Sequence, residues 1–205
     1  MAVACSGCGR SYDDALFTFG RTISCACGAR VGAPTRAASP GDGPPRFAVD
    51  AMLGRLARWL RVLGLDATWT ADVADAVLVR HALDEERWIL TRDRRLPLEW
   101  RLPRVFLVES EEPLAQLREI LGAFPVRRAL RLFARCTRCN AQIEALPRAL
   151  AAPQVPPRVW AANERFWRCP GCGRIYWEGS HVERMRRTIE GVLGEGAAGA
   201  PRSGP

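Results

Sequence analysis

From residue 46 onward, short apolar runs alternate with stretches whose apolar residues recur every three or four positions. Arg46–Asp50 (RFAVD) is a run suited to a buried strand. Met52–Leu63 (MLGRLARWLRVL) follows it, with Leu53, Leu56, Ala57, Leu60 and Leu63 at helical spacing. Asp66–Thr70 (DATWT), Trp88–Thr91 (WILT) and Val105–Val108 (VFLV) read as further strands, and Asp75–Glu86 as a helix. Pro113–Phe124 (PLAQLREILGAF) reads as a helix with Pro in its first turn and acids just before it. Strands alternating with helices predict an α/β fold with a parallel sheet flanked by helices. Strand cores this short and apolar suit a sheet covered on both faces.

The pattern breaks on either side. Val31–Arg46 (VGAPTRAASPGDGPPR) is rich in Pro and Gly and has the composition of a linker. From Cys136 to Tyr176 the chain is dominated by paired Cys, Pro and aromatics, and its last dozen residues lack apolar mass. The expected organisation is an N-terminal cysteine module (1–31), a linker (32–45), the α/β domain (46–130), a C-terminal cysteine module (131–182), and a short helix with a disordered tail (183–205).

Composition narrows the chemistry. All 30 basic residues are Arg, so Schiff-base and lysine-anchored phosphate chemistry are excluded. Two His, at 81 and 181, cannot make a three-imidazole metal centre. Net charge is +8, and residues 131–205 hold twelve Arg against six acids. A basic C-terminal third suits a polyanionic partner, although a soluble Arg-rich composition accounts for it equally. No apolar run approaches the ~20 residues of a membrane span, and MAVACSGCGR lacks a signal-length apolar segment. The expectation is a cytoplasmic protein without a membrane partner, whose eight Cys ligate metal rather than pair.

Cys136-x-x-Cys139 and Cys169-x-x-Cys172, separated by 29 residues, are two knuckles that together supply the four-thiolate shell zinc prefers. With every position filled by sulfur, such a zinc is structural. Cys5-x-x-Cys8 and Cys25-x-Cys27 are less regular; a second zinc ribbon is expected, with a redox CxxC as the rival. CSGCGRSY (5–12) and CPGCGRIY (169–176) agree at six of eight positions.

In a parallel sheet, ligands collect at the carboxyl ends of the strands. Asp50 ends the first strand, Asp93 follows WILT and Glu109 ends VFLV, while Asp72 and Asp75 lie in the connection to the second helix. Carboxylates converging without Lys or His repel unless a hard cation, Mg²⁺ or Mn²⁺, sits among them. Such a site activates water and stabilises charge developing on a phosphodiester. Each acid taken singly is equally a turn or helix cap, Asp75 above all. Arg55, Arg58 and Arg61 recur opposite the apolar stripe of the first helix, where they either hold a nucleic-acid backbone or form a solvated face. Arg92, Arg94 and Arg95 flank Asp93 with the same ambiguity. Trp167, Tyr176 and Trp177 are stacking platforms or ribbon core, with core favoured for Trp167.

The string FAVDAMLGRLARWLRVL (47–63), then Thr91-Arg92-Asp93, then the paired cysteines ending in FWRCPGCGRIYWEGSH (166–181), resembles the Mut-seven C-terminal RNase family. The resemblance covers roughly residues 46–185 and leaves out the N-terminal cysteine module. It implies a PIN-like domain with an attached zinc ribbon and a metal-dependent ribonuclease, of a domain type that often pairs into homodimers. Asp50 and Asp93 carry over as acidic-site residues, with Asp72 or Asp75 as the third and Glu109 a weaker candidate. His181 falls in the matched GSH segment, where packing on the ribbon and touching RNA are equally open. Bound RNA, or single-stranded DNA, rests on Arg55, Arg58, Arg92, Tyr176 and Trp177. A catalytically silent nucleic-acid adaptor and a protein-docking scaffold are the alternatives.

Overall fold

The computed structural model describes residues 2–14, 16–17, 22–32 and 43–194. The predicted tail beyond 194 and most of the predicted linker lie outside them. Two short antiparallel hairpins come first, β1 (Ala2–Ala4) with β2 (Ser11–Asp13), and β3 (Ile23–Ser24) with β4 (Arg30–Val31). There follow β5 (Phe47–Val49), a 3-10 turn (Ala51–Leu53), α1 (Gly54–Val62), β6 (Ala67–Trp69), α2 (Asp75–Asp84), β7 (Trp88–Thr91), α3 (Leu96–Glu99), β8 (Val105–Leu107) and α4 (Pro113–Ala123). The C-terminal part holds β9 (Glu144–Leu146), α5 (Arg148–Ala151), α6 (Pro157–Ala162), β10 (Phe166–Arg168), β11 (Ile175–Trp177) and α7 (Ser180–Leu193).

The four central strands form one sheet in the order β6-β5-β7-β8. β5 and β7 run parallel with Phe47 opposite Trp88, and β7 and β8 with Ile89 opposite Val105. Phe47, Ala48 and Val49 are all buried, as a strand covered on both faces requires. Because the chain leaves β5 for one neighbour and returns on its other side, the strand order reverses between β5 and β7. The carboxyl ends of strands at such a reversal are where α/β sheets bind ligands.

Tertiary contacts divide the chain into two compact units: Met1–Gly54 with Trp69–Glu109, and Arg55–Thr68 with Ser110–Pro205. In the first unit α2 packs on β5 and β7 over a core of Ala48, Leu78, Val79, Ala82, Ile89, Leu96 and Trp100. In the second, α4 packs on α7, and β11, β10 and β9 form an antiparallel ribbon over Ala151, Val155 and Phe166. α7 starts within the GSH segment and runs fourteen residues, longer and earlier than the short helix expected beyond 182. Val31, the last residue of the expected N-terminal module, is buried in β4.

Arg61 departs from its expected place on a solvated helix face. It is only 3% exposed, and its guanidinium donates to the carbonyls of Ala67 (2.7 Å), Thr137 (3.2 Å) and Arg138 (2.9 Å). Periodicity sees only an Arg at that position; three carbonyl acceptors are what make burying its charge tolerable. Just after α1, Gly64 has φ +83°, and a Cβ there would lie 2.2 Å from the Arg131 carbonyl oxygen. Gly64→Ala is therefore expected to lower stability by at least about 2 kcal/mol, read from the urea midpoint. An unchanged midpoint would show that this turn yields freely.

Candidate active site and cysteine centres

The parallel register brings several of the predicted acids to one sheet edge. Asp50 follows β5 directly, its N–H bonded to the Leu90 carbonyl of β7 (3.0 Å). Its side chain is 9% exposed, and its Oδ2 accepts the hydroxyl of the buried Thr91 at 2.5 Å. Thr91 Oγ1 in turn accepts the Asp93 N–H at 2.9 Å, so one buried hydroxyl sets both acids. Asp93 Oδ1 then accepts the Arg95 N–H at 2.8 Å, which turns the chain into α3.

Asp75 opens α2, and its carboxyl is raised above the usual range. Burial contributes most, followed by the charges of Asp50, Asp93 and Glu99. The charges of Asp50, Asp93 and Glu99 thus all act on Asp75. Glu99, at the end of α3, was missed by sequence reasoning. Its only signal was a four-residue spacing to Arg95, whose guanidinium it pairs with at 3.2 Å. Asp72 is exposed in the turn after β6 with φ +52°, and Glu109 is exposed beyond β8; neither is among the charges acting on Asp75. Arg92 is half-buried between Thr91 and Asp93. The Trp69 indole donates to the Ala51 carbonyl at 3.0 Å and lies so close to Gly54 that a Cβ there would meet its ring at 2.7 Å.

The donor set suits Mg²⁺ or Mn²⁺, hard cations that take carboxylate oxygens. Among the described residues, the sets of prospective ligand atoms within 4.8 Å of one another are the two cysteine groups, so the acids are spaced more widely.

Cys136, Cys139, Cys169 and Cys172 converge, with sulfurs 3.5 Å apart for Cys136–Cys172 and 3.3 Å for Cys139–Cys169. Cys5, Cys8, Cys25 and Cys27 do the same, at 3.6 Å for Cys5–Cys27 and 3.5 Å for Cys8–Cys25. Zn–S bonds of about 2.3 Å in a tetrahedron place sulfurs about 3.8 Å apart, close to these separations. Both groups therefore fit zinc, and all eight thiols are free of disulfides.

The two centres are one design in reversed chain order. Cys5 N–H bonds Arg10 O and Cys169 N–H bonds Arg174 O, at 2.8 and 2.9 Å. A Cβ on Gly7 would meet Ala29, Cys27 and Cys5, and one on Gly171 would meet Ala141, Cys139 and Cys169. Tyr12 bonds Cys25, while the Tyr176 hydroxyl lies 3.0 Å from Cys136 Sγ. The knuckle that comes first in the N-terminal module thus comes last in the C-terminal one.

Thiol acidities split within each group. The Cys27 amide and then Tyr12 lower Cys25 to about 6, whereas Cys27 rises to about 11 beside the other sulfurs despite a favourable Ala29 amide. Burial opposes ionisation of Cys136, but bonds from Tyr176 and the Cys139 and Arg138 amides bring it to about 6. Burial and Cys139 push Cys169 up to about 12. Four thiolates this close need a cation to coexist.

Tyr176 therefore faces the cysteine centre. Trp177 packs into the Ala151–Val155–Phe166 cluster and lies edge-on to His181, with ring centroids 6.1 Å apart. Trp167, expected in the core, sits half-buried on the opposite strand face, with the Arg165 guanidinium 5.9 Å from its ring centroid. Strand alternation puts the two Trp on opposite faces, since Phe166 and Trp177 pair on the buried face.

A family model, the Mut7-C RNAse domain, matches residues 45–189. The chain belongs to the Mut7-C RNAse domain family. Membership supports a nuclease-type hydrolase with RNA as substrate class, and the match covers both the acidic edge and the C-terminal cysteine group. No curated protein and no solved structure matches the chain. No helix among the described residues of this Mut7-C chain is long and apolar enough to cross a membrane. The N-terminal cysteine group lies outside the match.

Proposed function

We propose that this Mut7-C protein is a metal-dependent ribonuclease that hydrolyses RNA phosphodiester bonds at Asp50, Asp75, Asp93 and Glu99, in a domain of PIN-like type. The observation carrying the proposal is the buried Thr91 hydroxyl that sets Asp50 and Asp93 together at the carboxyl edge of the sheet, with the carboxyl of Asp75 raised by burial and by the charges of Asp50, Asp93 and Glu99. When bound, Mg²⁺ or Mn²⁺ acidifies water and offsets charge developing on the scissile phosphate. Thr91 occupies Asp50 Oδ2 and the Arg95 amide occupies Asp93 Oδ1, which leaves one oxygen of each for ligation. Asp75 is preferred to Asp72 as the third carboxylate because the charges of Asp50 and Asp93 act on it. Arg92, beside Asp93, orients the phosphate. In the second unit Arg55, Arg58, Arg165, Arg168, Arg174, Arg184 and Arg187 are exposed, and with Trp167 they offer phosphate contacts and a stacking face for a single strand. Both zinc ions are structural.

The test is hydrolysis of labelled single-stranded RNA with and without Mn²⁺, in the wild type and in Asp93→Asn. Metal-dependent cleavage lost in the variant supports the proposal. Salt-sensitive RNA binding without cleavage under any divalent metal would replace it with an adaptor role.

Asp75 adds a stability signature. With the folded carboxyl raised, the folded chain binds more protons than the unfolded one between the two values, so stability falls as pH rises through that window. Asp75→Asn should therefore melt slightly higher than the wild type at neutral pH without divalent cation, while binding Mn²⁺ more weakly. A lower melting temperature would contradict the raised carboxyl.

A further inference from the structure

The N-terminal cysteine module, which the family match leaves out, reaches α3 through Thr22. Thr22 is 8% exposed and stands at the foot of the β3–β4 hairpin, whose tip is the Cys25-x-Cys27 knuckle. Its N–H donates to the Glu99 carbonyl, and its hydroxyl donates to the carbonyls of Leu98 (2.8 Å) and Glu99 (3.0 Å). The Arg30 guanidinium, on the other strand of the hairpin, donates to Thr22 Oγ1. That donation takes a lone pair of Oγ1, which leaves the Thr22 proton for the α3 carbonyls.

A four-residue helix has no stability of its own, and its last carbonyls lack partners within it. α3 is therefore placed by what holds its two ends. At its start the Asp93 carboxylate holds the Arg95 amide; at its end Thr22 holds Leu98 and Glu99. A two-residue ladder such as β3–β4 is equally unable to stand alone, which is what the four-sulfur centre at its tip supplies.

We infer that the N-terminal module braces the acidic site: Thr22, capping α3, is a positioning residue that fixes the far end of the helix whose start the Asp93 carboxylate holds, and so sets the site's affinity for a divalent cation. The inference rests on the acidic site proposed above.

The experiment uses the full chain with both cysteine centres loaded with zinc, and reads the Mn²⁺ dissociation constant by EPR titration of free Mn²⁺. Thr22→Val, which removes the hydroxyl at constant volume, should weaken Mn²⁺ binding about tenfold with zinc content unchanged. Thr22→Ser, which restores the hydroxyl, should bind within about threefold of the wild type. Should Thr22→Val lose zinc, Arg30→Gln tests the same link, because it removes the donor that aims the Thr22 proton; weaker Mn²⁺ binding with zinc retained again supports the brace. Wild-type Mn²⁺ affinity in the Thr22→Val chain, or in Arg30→Gln where that substitutes for it, would overturn the brace and leave the acidic site standing. A Thr22→Ser chain as weak as Thr22→Val would overturn it too. Failure of the wild type itself to bind Mn²⁺ would overturn the acidic site and the brace together.

Discussion

Asp50→Asn is expected to abolish metal-dependent RNA cleavage, lowering the rate by at least about a hundredfold, or roughly 2.7 kcal/mol of barrier. The substitution is nearly isosteric, and the Asn carbonyl can still accept the Thr91 hydroxyl that holds Asp50. The β5 end, the 3-10 turn and the Asp93 amide bond therefore stay in place, and what disappears is the charge. That charge sits in a group only 9% exposed, at the reversal of the strand order, with the neighbouring acids already crowded enough to raise Asp75. Removing it weakens the hold on Mn²⁺ while relieving repulsion in the cation-free protein, so the melting temperature should hold or rise as activity falls. Cleavage within threefold of the wild type, in a preparation free of contaminating nuclease, would remove Asp50 from the mechanism.

Cys136→Ser should release zinc from the C-terminal centre and unfold the ribbon. A four-thiolate zinc contributes on the order of 10 kcal/mol to a small module at neutral pH, more than β9–β11 can replace with a core of three buried residues. The loss spreads through named contacts within its unit. The Thr137 and Arg138 carbonyls that hold the buried Arg61 belong to the Cys136 knuckle. So does Asn140, whose Oδ1 accepts the Ala67 amide at 3.0 Å and whose Nδ2 donates to Asp66 at 2.8 Å. Without the knuckle, Arg61 becomes a buried guanidinium short of acceptors, which is strongly destabilising. Metal analysis should return two zinc ions per wild-type chain and one in Cys136→Ser, with the variant's first thermal transition shifted down by tens of degrees. A variant that keeps both ions and its melting temperature would show that sulfur at 136 is dispensable.

Legibility followed the range of each interaction. WILT was read to the residue, and β5, α2, β8 and α4 to within two residues at either end, because alternation and helical spacing are local properties of the chain. The cysteine pairs were legible for the same reason: a knuckle writes its spacing into four or five residues. α7 was underestimated because its start lies inside the motif that closes the ribbon. Arg61 was placed on the wrong side of its helix because no local pattern announces three carbonyls, two of them more than seventy residues away. Trp167 lies off the core face it was expected on because strand parity is fixed by the pairing of Phe166 with Trp177.

The amino-acid order by itself determined the α/β alternation, the two four-cysteine groups, the acids at strand ends and the family. Each is written within a few consecutive residues or in a fixed count between them. Only the tertiary structure decided that one buried hydroxyl, of Thr91, ties Asp50 to Asp93, that the two cysteine centres share one design with knuckles reversed, and that Thr22 caps α3. These depend on strand order and on hydrogen bonds between segments tens of residues apart, and a chain's local preferences carry no record of which distant partner will satisfy a buried polar group.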